Sequence, residues 1–203
     1  MVDKIKTALI SKWGFMSVEE DAQTNGTPSY TESTVRFNYI FNPDPSERIS
    51  EIAGHFGFVM PCDLKELYSE CNGMRLFLSG LNIYGSQTRR YDMEPFDLMT
   101  ENYNIHARMK KNRCDIEDLF FFGSCGKDCV FAYNTKMPDK ILCLEKGSDR
   151  QILSFANLNE LFNFFLPRMM EQYDCNCMKK VPNEEFEDVP VLANALMTVE
   201  EIL

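Results

Sequence analysis

The sequence is poor in the residues on which chemistry is usually built. Histidine occurs twice, at His55 and His106, and tryptophan once, at Trp13. Two imidazoles leave little material for a histidine-based acid–base or metal centre. Neither G-x-x-x-x-G-K-S/T, G-x-G-x-x-G, H-E-x-x-H, G-x-S-x-G nor a calcium loop occurs. Long apolar runs are missing too. The richest, LFFF at 119–122 and LFNFFL at 161–166, fall far short of the roughly 18 residues a membrane helix needs. Positive charge is in deficit, with 21 Lys and Arg against 31 Asp and Glu, a formal net charge of −10 and a pI of about 4.8. That argues against a general nucleic-acid binder, whose footprint is basic, and against docking on an anionic membrane surface.

What is present suits one globular domain. The chain has 203 residues, 44% hydrophobic and 26% charged, and at that length a single core buries roughly 70% of the unfolded surface without staples. The opening MVDKIKTALISKWGF has no continuous apolar stretch and no small-residue cleavage site, so it is not expected to be a signal peptide. The eight cysteines are therefore read in a reducing compartment, the cytoplasm. Cys62, Cys71, Cys129 and Cys143 stand among apolar neighbours and are expected to be small buried hydrophobes.

Periodicity organises the chain. Ile5, Ala8, Leu9 and Trp13 share a helical stripe that Gly14 stops, and 17–34 reads as a loop. Val35, Phe37, Tyr39 and Phe41 alternate as a strand. Asp44, Pro45 and Glu47 form a capping-box signature ahead of Ile49, Ile52, Ala53 and Phe56, with Gly57 as the stop. A second helix is opened by Pro61 and ended by Asn72-Gly73. One or two strands follow over Arg75–Tyr84, broken near Gly80. The segment 86–118 is polar, with weak helical character around 101–112. Leu119–Phe122, Cys129–Tyr133, Ile141–Leu144 and Gln151–Ser154 then read as an antiparallel meander. Asn157 and Glu160 cap a last helix, which Pro167 should kink or end near Phe165. Two units result: a domain over 1–172, and a tail over 173–203. The tail comprises a polar linker and the amphipathic VLANALMTVEEIL. So short a helix is marginal alone, so it packs on its own domain or on another chain.

Several groups invite a chemical reading and have a plainer one. Cys125 and Cys129 are spaced C-x3-C, and Cys175 and Cys177 C-x-C, neither being the tight pair of a structural zinc site. Cys125 activated by His106 would make a nucleophile. A turn between antiparallel strands accounts more simply for Gly123 and Gly126, since both can take positive φ. Arg108, Lys110, Lys111 and Arg113 could touch phosphate, but in so acidic a chain they read as a solvated helix face. Arg89-Arg90-Tyr91 suits a protein partner as well as a ligand. Glu184, Glu185, Glu187 and Asp188 read as a solubilising linker, or as steering toward a basic partner.

Together these residues resemble a known family. SERISEIAGHFG, Met60-Pro61, DLKELYSECNG and a strand ending in Ile83-Tyr84-Gly85 resemble the opening of the SUKH domain. Phe121-Phe122-Gly123 with Asp128, the strand VFAY, a hairpin, and Ile152-Leu153-Ser154-Phe155 leading into Leu158–Leu166 extend the resemblance over residues 46–166. Met60-Pro61 stands where the family more often has Leu-Pro, and Met74 where it has a second glycine. The superfamily includes a fungal cell-wall synthesis regulator and many bacterial immunity proteins. The resemblance implies a single α+β domain with a central, mostly antiparallel sheet and flanking helices. The missing motifs lead to no expected cofactor or metal, and the acidity to no nucleic-acid or membrane partner. The resemblance also implies no catalysis, and a protein partner. For the bacterial members that partner is a toxin, commonly a nuclease or deaminase. The expected partner surface is the loop 86–118, where Asp92, Glu94 and Asp97 flank Tyr91 and Phe96, since aromatic anchors in a charged rim make hot spots. The other expectation is a regulatory scaffold of the fungal type, working through the tail.

Overall fold

Residues 1–13, 38–41, 43–44, 47–77, 79–86, 96–126 and 129–173 are described by a computed structural model. The loop 17–34, the start of the strand at Val35, Tyr91, Asp92, Glu94 and the tail from 174 onward lie outside them. The helices are α1 (Val2–Trp13), α2 (Arg48–His55), α3 (Cys62–Glu70), α4 (Leu98–Lys111) and α5 (Leu158–Gln172). The strands are β1 (Tyr39–Ile40), β2 (Met74–Leu76), β3 (Leu81–Ile83), β4 (Leu119–Cys125), β5 (Cys129–Asn134), β6 (Ile141–Glu145) and β7 (Gln151–Phe155). They form one antiparallel sheet in chain order, each strand beside its sequence neighbours. The class is α+β, as the meander of short strands and turn-rich spacers predicts.

Alternation along β5 assigns the layers, because successive side chains point to opposite faces. Phe131 and Tyr133 share a face: the Phe131 ring lies 5.2 Å from Phe165 of α5, and the Tyr133 hydroxyl donates to Asp63 of α3. On the other face, α4 lays His106 edge-on against Phe121 at 5.3 Å, opposite Ala132 in the ladder. Helix α1 packs on α5, and its terminal amine is held by Glu70 of α3 at 2.9 Å. Strand β4, covered on both faces, is buried along its whole length.

Strands are extended by side chains where neighbouring backbone runs out. Asn38 Oδ1 accepts from the Phe77 N–H at 2.8 Å. The Asn72 amide both donates to the Ser86 carbonyl and accepts from its N–H, each at 2.8 Å. All three asparagines that act this way, Asn38, Asn72 and Asn102, are buried.

Four local expectations are corrected. First, α2 begins at Arg48 without a side-chain cap; the Asp44 carboxylate instead accepts from the Ser86 hydroxyl, so the Asp44–Glu47 box does not form. Second, Gly123 lies inside β4 rather than in a turn. The register slips by one residue between Phe121 and Gly123, and a Cβ at 123 would stand 2.5 Å from the Asn82 carbonyl oxygen of β3, so close strand approach demands the glycine. Of the two, Gly126 alone takes a positive φ. Third, α5 does not end near Phe165 but runs through Pro167 to Gln172. The ring costs a helix roughly 3 kcal/mol, which burial of Phe165, Leu166 and Met169, at about 1.5–3 kcal/mol each, outweighs. Fourth, Cys62 is exposed at the start of α3, whereas Cys71, Cys129 and Cys143 are buried.

Candidate protein-binding surface

Of the residues expected to meet a partner, Phe96 and Asp97 are described, and both hold α4 in place. The half-buried Phe96 ring stands edge-on to Tyr84 at 6.4 Å, with the Arg75 guanidinium 4.9 Å above it. Asp97 is the N-cap of α4, its carboxylate accepting from the Thr100 N–H at 3.0 Å. The weak helical character expected around 101–112 is a full helix over Leu98–Lys111, whose Leu98, Asn102, Ile105 and Met109 are buried. Tyr91, Asp92 and Glu94 lie outside the described residues.

The other pairings resolve simply. His106 stands beside Leu119, whose carbonyl it meets through Nε2 at 2.9 Å, so Nε2 carries the proton. Cys125 is at the opposite end of β4 and pairs across the hairpin with Cys129, so no Cys125–His106 dyad exists. The Cys129 thiol, hydrogen-bonded to Cys125 and Cys143 and buried, is pushed well above its ordinary pKa. Burial likewise raises Cys71 to about 12. Thiols so protonated are poor nucleophiles and ligands. Among the described residues, no three or more His, Cys, Asp or Glu gather as a metal site, and no helix is long and apolar enough to cross a membrane. Cys175 and Cys177 lie outside them. Arg108, Lys110, Lys111 and Arg113 are exposed at the end of α4, where cations complement the helix dipole.

A different surface emerges at the Leu119 end of β4. The chain leaves α2 through Gly57, whose φ of +65° lets the Phe58 N–H return to the Ala53 carbonyl at 2.9 Å. Phe58 turns inward and stacks on Phe120 at 4.4 Å, which leaves Val59 outward and 73% exposed. On the neighbouring helix, Tyr103 is 50% exposed, and its hydroxyl meets His55 Nε2 at 2.5 Å. Phe56 fills the gap beneath, 5.4 Å from Tyr103, 6.1 Å from His106 and 6.0 Å from Phe120. Asn134, opposite Leu119 in the ladder, turns the β5–β6 loop by accepting from the Lys136 and Met137 N–H groups. Met137 is left 68% exposed. Val59, Tyr103 and Met137 are the large apolar side chains most exposed among the described residues, and all three stand at this end of the sheet.

Their electrostatic setting is acidic. Lys136 Nζ lies 2.6 Å from Asp118. That bond, helped by the nearby charges of Asp118, Glu117 and Asp115, holds the ammonium above its ordinary pKa. One carboxylate, Asp118, thus pairs with the ammonium next to Met137, and Glu117 and Asp115 add negative charge nearby. The arrangement offers apolar anchors with a negative flank beside Met137. One signal in the sequence pointed here: Tyr103 is a large aromatic lying off the buried stripe of its own helix. Val59 and Met137 carried none, being set beside it only by the fold. Compared with known protein families and with curated proteins, the chain matches none of them.

Proposed function

We propose that the protein is a non-catalytic binding domain, a cytoplasmic immunity protein that neutralises a basic nuclease-type or deaminase-type toxin domain by direct contact. The observation that carries this reading is the exposed trio Val59, Tyr103 and Met137, with Asp115, Glu117 and Asp118 near Lys136, the neighbour of Met137 in the chain. A tyrosine backed by packed rings is an anchor that loses little freedom on binding. The flanking carboxylates, within a chain of net charge −10, speed encounter with a basic partner. The resemblance to the SUKH domain supports the same assignment.

The test is protection of cells that express cationic nuclease and deaminase toxin domains, together with binding kinetics for whichever domain is neutralised. Wild-type protein should protect against one toxin. Tyr103→Ala should speed dissociation about 30-fold, the effect of a 2 kcal/mol hot spot. The double variant Glu117→Lys and Asp118→Lys should slow association and flatten its salt dependence. Kinetics untouched by either variant would remove this surface from the interface. Protection against no toxin, with regulatory proteins bound instead, would favour the scaffold reading.

A further inference from the structure

Among the described residues β7 is the outer strand of the sheet: it pairs with β6, and no strand lies beyond it. Natural edges are blunted by charge or proline, and Gln151–Phe155 contains neither. The register slips once, opposite Cys143 and Leu144, which leaves Leu153–Phe155 as the regular stretch. Phe155 lies on the α5 face, its ring 5.4 Å from Phe164. Leu153, two residues back, shares that face and is only half-buried, whereas Ser154 between them is exposed.

Helix α5 sets a second stripe beside this edge. Glu160, Phe164 and Arg168 follow at intervals of four, on one side of the helix. The Glu160 carboxylate accepts from the Ala156 N–H at 2.8 Å, just past the end of β7. The half-buried Phe164 ring carries the Arg168 guanidinium 3.8 Å above its centre. Neither Glu160 nor Arg168 belongs to an ion pair among the described residues. The stripe therefore runs acid, ring, base. Turned through half a revolution it is its own complement, acid meeting base at both ends and ring meeting ring in the middle.

We propose that two copies of the chain pair antiparallel through β7, about a two-fold axis at Ser154, so that one sheet continues into the other. In that register Leu153 stands opposite the partner's Phe155, an apolar cross-strand pair made twice. On the α5 face, Glu160 meets the partner's Arg168, Arg168 meets the partner's Glu160, and the two Phe164 rings lie together at the axis. A contact of this kind is isologous and closes at two chains, so it makes a dimer and not a fibre. It uses none of Val59, Tyr103 and Met137 and stands apart from the toxin reading.

Sedimentation velocity of the full-length protein, from about 1 to 100 μM, the span of micromolar dimer affinities, is the test. Wild-type protein should pass from monomer to dimer across that range. Arg168→Glu or Glu160→Arg sets like charges face to face twice, and each should raise the dimer Kd about tenfold or more. Combining Glu160→Arg with Arg168→Glu should bring the dimer back. Lost stability of α5 cannot explain such a recovery, since the double variant carries both substitutions. Ser154→Cys, oxidised by dissolved oxygen with a copper–phenanthroline catalyst, should join two chains through position 154, seen by peptide mass spectrometry. A monomer at every concentration would overturn the proposal, as would a dimer whose Kd ignores both single variants. A double variant no tighter than the single ones, or a Ser154→Cys protein without the 154–154 link, would overturn it as well.

Discussion

Asn102 of α4 makes to Phe121 both hydrogen bonds that a neighbouring strand would make. Its Nδ2 donates to the Phe121 carbonyl at 2.7 Å, and its Oδ1 accepts the Phe121 N–H at 2.8 Å. Strand β3 is spent by then: Tyr84 makes the last contact, its N–H on the Phe122 carbonyl at 2.8 Å. Asn102 is fully buried, so no water stands in for it. Removing the amide orphans two buried backbone groups at about 1–3 kcal/mol each. Asn102→Ala should therefore lower the unfolding free energy by about 3–4 kcal/mol, read as a fall in urea midpoint at constant slope. Asn102→Asp, which has no N–H to give the carbonyl and buries a charge, should do no better. A loss below about 1 kcal/mol in the alanine variant would sink the surrogate-strand account.

Gly85 is fixed by contact rather than by dihedral angle. A Cβ there would lie 2.1 Å from the Asn72 carbonyl oxygen and 2.7 Å from Asn72 Oδ1. The latter atom also accepts from the Ser86 N–H. Gly85→Ala should cost more than 3 kcal/mol, the upper range for overpacking, or prevent folding. Gly54→Ala, where an added methyl meets nothing within 4 Å, should stabilise α2 by up to about 1 kcal/mol. Thermal midpoints of the two variants should move in opposite directions.

Asp63 joins two helices to the sheet. One carboxylate oxygen accepts from the Leu158 N–H at 2.9 Å, at the start of α5, and from the Tyr133 hydroxyl at 3.3 Å. Asp63→Ala should cost about 2 kcal/mol, as for a lost charged cap with an orphaned partner. Tyr133→Phe, which removes only a long bond, should cost less than half as much. Equal losses in the two would mean that the helix junction contributes nothing.

Legibility followed the distance over which the deciding contact acts. The Asn157–Glu160 pair was plain in the sequence, and its cap forms within one turn: Asn157 Oδ1 accepts the Glu160 N–H at 3.0 Å, while the Glu160 carboxylate accepts from the Ala156 N–H at 2.8 Å in place of the Asn157 N–H. The Asp44 box was equally plain and fails, because Ser86, far along the chain, takes the carboxylate. Gly123 looked like a turn residue since nothing nearby in sequence reveals that β3 passes over it. The meander was readable because every strand pairs with its neighbour in the chain. The candidate surface was not, since Val59, Tyr103 and Met137 come from three separate stretches that reach the same end of the sheet only once it has formed.

His106 makes stability fall in mild acid. Burial lowers its pKa below the ordinary 6.5 despite the bond to the Leu119 carbonyl. With the folded value below the unfolded one, the unfolded chain binds the proton first. Stability is therefore unaffected above about pH 6.5 and declines as pH falls from there to the folded value. Glu70, lowered by its bond to the terminal amine, adds a second loss only below its ordinary value of 4.5. Glu101, raised by burial, works the other way, so its contribution is lost as pH rises above 4.5. Urea midpoints should hold between pH 7.5 and 6.5 and decline from 6.5 to 5.5 in the wild-type protein. In His106→Gln, which keeps a donor for Leu119, they should decline less. An unchanged slope in that variant would assign the effect elsewhere.

The order of the strands also sets a direction for folding. From β4 to β7 only short turns intervene, whereas pairing β1 with β2 must close a loop containing both α2 and α3. Loop closure is cheaper for short spans, so the hairpins over 119–155 are expected to pair first and β1 last. Destabilising variants in β5 or β6 should then slow folding, and those in β1 should mainly hasten unfolding. A ribosome delivers the segments in the reverse order. Until Leu119–Cys125 emerges, α2, α3 and β1–β3 have no central strand to rest on, so the nascent first half depends on chaperones or on speed of synthesis to stay out of aggregates.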